Sequence, residues 1–130
     1  MTFVWLAEPW GGLGEEPAPD KLVAGLGTRF EILRASIKKW CVGSSIQVAL
    51  EALTLLMAEH GLCVGDVRKI LVQMPDDRLH IVDNREIPDI RLQHLLALTL
   101  ADGRLTFASA HDYARMVDPK VLAVRRLLQA

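Results

Sequence analysis

Two adjacent lysines, Lys38 and Lys39, precede Trp40 and a small-residue turn, and a long apolar segment follows at once over residues 44–61. The start of a helix gathers unpaired backbone N–H groups and the positive end of its dipole, so cations placed there suit an anion. Ser44 and Gln47 stand at capping-box spacing, in which each side chain would satisfy a backbone N–H of the first turn. Val48, Leu50, Ala52, Leu53, Leu55, Leu56 and Met57 then leave little polar surface, which predicts a helix buried on most sides. His60 and Gly61 close it, with Gly61 supplying the left-handed position. The chemistry on offer is the holding of an anion. The same residues also fit an ordinary buried helix with solvated lysines in front of it.

Other reactive side chains are less well placed. Cys41 lies beside the lysines and near a helix start, a setting that favours a thiolate, but no histidine is close in sequence to serve it. His60, His80, His94 and His111 show no metal-ligand spacing, so no metal site is expected. His111–Asp112 could act as an acid/base pair, although a helix-end hydrogen bond accounts for it more cheaply. No glycine-rich loop follows a strand in the manner of a phosphate site. Arg125 and Arg126 are too few for a nucleic-acid patch.

Length and charge bound the classes further. At 130 residues the chain is expected to form one domain, with residues 1–20 as a loose N-terminal segment and 21–130 as the folded part. Fifteen basic and sixteen acidic side chains nearly cancel, so no global field attracts nucleic acid. Two cysteines make neither a disulfide framework nor a zinc spacing, which suits the cytoplasm. The apolar residues 1–7 lack a basic leader and meet Glu8 early, so they do not read as a signal peptide. No apolar run approaches the roughly 18 residues a membrane helix needs.

The elements that must position the lysines follow in chain order. Trp5 and Trp10 sit among glycines and prolines, and Asp20 can cap a short helix over 21–24 that the glycines at 25–27 stop. Residues 29–38 read as an extended strand, with Phe30 and Ile32 on one face and Leu33, Ala35 and Ile37 on the other. After the long helix, 67–74 predicts a strand ended by Pro75, and 79–82 a second short extended piece. Asp83, Asn84 and Arg85 form a polar loop, from which Pro88 and Asp89 start a helix through Leu92, Leu95, Leu96 and Leu100. A helical turn near 109–111 follows, and Asp118–Pro119 opens a last helix to about 129. The fold class is α+β, a small antiparallel or mixed sheet packed against helices.

The blocks GLGTRFEILRASIKKW, VGSSIQVALEAL, IVDNREIPDIRLQHLLALTLADGRLTFASAHD and DPKVLAVRRL resemble, in this order, the C-terminal part of MmgE/PrpD proteins. That family includes 2-methylcitrate dehydratase, cis-aconitate decarboxylase and iminodisuccinate epimerase. The resemblance runs from about residue 22 to 128. It implies a large helical domain plus a smaller α+β lid with the site between them, and no metal, flavin or iron–sulfur cofactor. By the same resemblance Lys38 falls on the lysine of a lysine–x–aromatic motif, with Trp40 as the aromatic, and takes the catalytic role. Lys39, Ser44 and Arg85 are the substrate-binding candidates, Arg85 as a bidentate carboxylate clamp in the family's asparagine–arginine loop. Where many members carry Pro-Cys and a histidine, this chain has Cys41, Val42 and Gly43, which removes one acid/base.

The resemblance covers a lid and not the helical half. The 130 residues are therefore expected to show no turnover alone, with a separate helical-domain chain as one partner and a small carboxylate as ligand. The other function class is a non-catalytic structural or interaction module derived from such a lid. A homo-oligomer is expected in either case, because strands at 29–38 and 67–74 would leave a sheet edge open and Val4, Trp5 and Trp10 add apolar surface. Neither nucleic acid nor membrane is an expected partner.

Overall fold

The computed structural model describes residue 20 and residues 23–129; the N-terminal segment with Trp5 and Trp10 lies outside the described residues. The chain divides into two units, Met1–Ile37 and Lys38–Ala130.

In the first unit Ala24 donates to the Asp20 carbonyl at 3.1 Å, a single helical bond, and Gly25 and Gly27 end it at positive φ of 77° and 81°. Lys21 and Leu22, the first two residues of the expected short helix, lie outside the described residues. The strand expected over 29–38 does not form. Glu31–Arg34 is instead a 3-10 turn, with Glu31 paired to Arg29 on one side and to Arg34 on the other. Among the described residues nothing pairs with this stretch as a strand, and without a ladder its backbone groups are better served by a turn and by water.

The second unit consists of helices α1 (Gln47–His60), α2 (Asp76–Val82), α3 (Leu92–Asp102), α4 (Phe107–His111) and α5 (Pro119–Arg125). Two short strands, β1 (Ile70–Leu71) and β2 (Leu128–Gln129), accompany them. The architecture is thus mostly helical with a minimal sheet, and that sheet is parallel rather than antiparallel or mixed, Ile70 opposite Leu128 and Leu71 opposite Gln129. A parallel pair needs a long crossover, and the chain supplies one through α2 to α5.

α3 is the centre. Pro88 opens a 3-10 turn over Pro88–Ile90, the helix runs from Leu92, and Gly103 ends it in the left-handed region at φ 73°. Its residues 92–100 are all buried, packed against α5 on one side and α1 on another. Each such leucine removed from water contributes about 1.5–3 kcal/mol before entropy is counted. α5 presents Val121 and Val124 to α3, three residues apart on one face, and Asp118 caps it by accepting from Lys120 N at 2.8 Å. The helix expected to reach 129 stops at Arg125. Leu127 and Gln129 then offer their carbonyls to Ile70 and Val72, at 2.8 and 2.9 Å.

The helix over 76–82 replaces the extended piece expected at 79–82. Arg78 and Leu79 both donate to the Pro75 carbonyl, which nucleates the turn, and Leu79 and Val82 share a face at helical spacing, Val82 fully in the core. α1 departs from expectation in the other direction. Only Leu50 and Leu53 are buried along it, whereas Val48 is 79% exposed and Leu55 57%. Gly61 closes it at φ 61°, with its N–H on the Met57 carbonyl. Among the described residues no helix is long and apolar enough to cross a membrane.

Candidate functional site

The lysine loop is built by Gln47. Its side-chain amide donates to the Trp40 carbonyl at 2.8 Å and to Val42 O at 3.4 Å, and its Oε1 accepts from Trp40 N at 3.3 Å. Residues 40–42 are thereby folded back onto the first turn of α1. The Ser44–Gln47 capping box does not form: Ser44 begins a 3-10 turn over Ser44–Ile46, and no side chain caps α1. Gly43 N donates to the Asp89 carbonyl at 2.9 Å, which ties the same loop to the turn ahead of α3.

Lys38 is exposed and donates through Nζ to Val42 O at 3.1 Å. Lys39 reaches the Glu51 carboxylate at 2.6 Å, and its ammonium stands 4.7 Å from the centre of the Trp40 ring. A carboxylate ligand would therefore compete with Glu51 for Lys39. A cleft of about 130 Å³ opens beside Lys39 and Trp40, walled by Leu105 and Phe107. Lys38, Ser44 and Arg85 do not line it. Ser44 borders instead an apolar groove of about 620 Å³ between α1 and residues 70–75.

Arg85 is exposed in its loop and makes no hydrogen bond or ion pair among the described residues. The loop itself is well fixed. Asn84 adopts a positive φ of 46°, a conformation asparagine tolerates. Its backbone N–H donates to Gln93 Oε1 at 3.1 Å and its side-chain amide to Asp83 Oδ1 at 2.9 Å, while Arg91 Nη2 donates to Asn84 Oδ1 at 3.2 Å. Gln93 Nε2 completes the ring on Asp83 Oδ1. The structure thus places Lys38, Lys39 and Ser44 around one loop and keeps Arg85 on another, with no polar contact between them.

Behind this loop lies His94, fully buried, with neither ring nitrogen hydrogen-bonded among the described residues. Burial, and then the positive charges of Arg125, Arg91 and Arg115, push its pKa down to about 4, so the ring is neutral near pH 7. Arg115 is itself held by Asp102 at 2.8 Å, a hydrogen bond that raises its pKa further, and its Nε stands 3.2 Å from Asp118 in an ion pair too bent for a hydrogen bond. His111 and Asp112 do not form an acid/base pair. His111 Nδ1 meets the Phe107 carbonyl at 2.8 Å, and Asp112 caps the following turn at Ala114 N, the helix-end arrangement. Cys63 is exposed, and its hydrogen bond to Asp66 raises the thiol pKa.

The family model of the MmgE/PrpD C-terminal domain matches residues 40–129, more than half of the chain. The chain belongs to the MmgE/PrpD family. No curated protein and no solved structure matches it. The match takes in the whole of the helical unit from Trp40, including Ser44, the Asn84–Arg85 loop and α3. Lys38 and Lys39 stand just ahead of the matched range.

Sequence reasoning missed Gln47 as the clamp of the lysine loop, Glu51 as the partner of Lys39, and Gln93 as the anchor of the Asn84–Arg85 loop. Their partners lie seven to twelve residues away. A polar residue inside an otherwise apolar segment, as Gln47 and Gln93 both are, is the one signal that could have drawn attention to them.

Proposed function

We propose that these residues form the lid portion of a cofactor-independent MmgE/PrpD lyase or isomerase of small polycarboxylates, of the 2-methylcitrate dehydratase kind, located in the cytoplasm. The observation that carries this reading is the family match across the whole helical unit, with the lysine loop exposed at its edge. Dehydration, decarboxylation and epimerisation of such substrates need cations for the carboxylates and a group that moves a proton. Lys38 is the proton-transfer residue in this reading. Its Nζ makes one hydrogen bond, to the Val42 carbonyl, on an exposed side chain, which an arriving substrate can replace. Lys39 and Ser44 flank it, and Arg85 joins when the opposing helical half closes the site. That half is supplied from outside the described residues.

The test is an assay with 2-methylcitrate, cis-aconitate and iminodisuccinate, first on these 130 residues alone and then mixed with the helical domain of an MmgE/PrpD protein. Alone, turnover equals buffer, because catalytic groups acting as a unit lose nearly all rate when most are absent. With the helical domain, activity appears and Lys38→Ala removes it. Activity that survives Lys38→Ala, or a stable complex with none, defeats the proposal.

A second reading, a non-catalytic homo-oligomeric module, is favoured by the apolar groove between α1 and residues 70–75, to which Val48, Leu56 and Leu71 contribute exposed side chains. It requires light scattering at tens of micromolar to give at least twice the chain mass, and Leu56→Glu to halve it. A well-folded monomer at that concentration removes this reading.

A further inference from the structure

A polar pocket of about 510 Å³ lies where α3, the end of α5 and the Asn84 turn meet, lined by Asp83, Asn84, Gln93 and Arg125, with Leu71 and Leu128 of the two strands as its apolar wall. Arg125, the last residue of α5, is half-buried there and makes no hydrogen bond or ion pair among the described residues. Burial disfavours its charge, and a second guanidinium, Arg91, stands close enough to add to the effect. Arg91 has a buried Nε without a partner, and only its Nη2 is engaged, by Asn84. A half-buried unpaired arginine facing another cation is costly, and an anion between or beside them relieves that cost.

The pocket also holds donors with spare capacity. Each side-chain amide carries two hydrogens, and Gln93 Nε2 and Asn84 Nδ2 each use one, on Asp83 Oδ1. The Asp83 charge offsets one of the two arginines, which leaves room for a single negative charge rather than two or three. Leu71 and Leu128 provide contact for a short apolar chain, and Gln129 completes the lining beside them.

We propose that this pocket binds a small organic monocarboxylate, its head on Arg125 and on the spare amide hydrogens of Gln93 and Asn84, its tail against Leu71 and Leu128. The proposal is independent of the catalytic reading, since it uses none of Lys38, Lys39, Ser44 or Arg85.

Titration of the 130-residue protein with sodium butyrate at constant ionic strength, followed by calorimetry and by the melting temperature, tests it. Butyrate is expected to bind saturably and raise the melting temperature, while phosphate and citrate under the same conditions bind at least about tenfold more weakly. Arg125→Gln weakens butyrate about tenfold or more, the loss of one bidentate charge-assisted contact. Arg125→Lys keeps the charge but not the fork, and falls between the two. Asp83→Asn shifts the preference toward the dianion succinate. The double change Lys38→Ala, Lys39→Ala leaves butyrate binding unchanged. Absence of saturable butyrate binding overturns the proposal. So does phosphate binding as tightly, Arg125→Lys binding equally well, or loss of binding in the lysine double variant.

Discussion

α1 and α3 carry apolar residues at similar density, yet they are buried to opposite extents. Along α3 every residue from 92 to 100 is buried, polar Gln93, His94 and Thr99 included. Along α1 only Leu50 and Leu53 are, and Val48, Leu55 and Leu56 stand in the open. The two helices share other devices: a left-handed glycine at the C-terminus, and a threonine whose hydroxyl donates to the carbonyl four residues back, at 2.7 Å in both. What separates them is company. α3 has α5, α1, α4, β2 and the turn before it as neighbours, whereas α1 packs mainly on α3 and the short turn that begins it. Apolar composition gives a helix the capacity to be buried; the number of elements packed round it decides how much of that capacity is used.

Truncation of a leucine tests this contrast most severely. Leu95→Ala should cost about 2–5 kcal/mol, the lost transfer energy plus the cavity left at a fully buried position. Leu55→Ala, on the open face, should cost about 0.5 kcal/mol or less. Urea unfolding of both variants gives the comparison directly. Equal losses would show that the α1 face is covered in solution.

The buried polar residues of α3 give the next effect. His94 titrates at about 4 in the folded chain against an ordinary 6.5, so the unfolded chain takes up the proton first. Stability is therefore full above about pH 6.5 and falls as the pH drops toward 4, by on the order of 3 kcal/mol. His94→Leu, similar in volume and without unpaired nitrogens, should flatten the unfolding free energy over that window. An undiminished slope in the variant would locate the pH dependence elsewhere. On α1 no such residue exists, since His60 at its end is exposed.

The smallest effect concerns what the two helices share. Gly61 and Gly103 both sit at positive φ with open space where a Cβ would go, so alanine there meets backbone strain and no clash. Gly61→Ala and Gly103→Ala should each cost about 1 kcal/mol, equal within error despite the difference in burial. Thermal melts of the pair settle it, and a Gly103 loss several times larger would mean that the end of α3 transmits strain into the core.

The sequence carried α3 clearly: its leucine run, Pro88 ahead of it and Gly103 behind it lie within one window, and each acts locally. The same holds for Asp118–Pro119 at the start of α5, for Gly61, and for the family blocks around Ser44 and Asn84–Arg85. Those are features whose cause and effect are separated by a few residues. What the chain did not announce is where partners come from at a distance. Residues 29–38 alternate like a strand, yet a strand needs a ladder, and among the described residues none is offered to it. Leu79 and Val82 fit a short strand or one helical turn equally well in isolation, and the Pro75 carbonyl together with a place in the core made it a turn. The last helix gave up 128–129 because β1 had open N–H groups within reach. The lysine loop owes its shape to Gln47, and the pocket around Arg125 exists because α3, α5 and the Asn84 turn meet there. Local geometry is determined by near neighbours in the chain, so it was legible; hydrogen-bond partners and burial depend on which distant surfaces meet, and only the tertiary structure decides that.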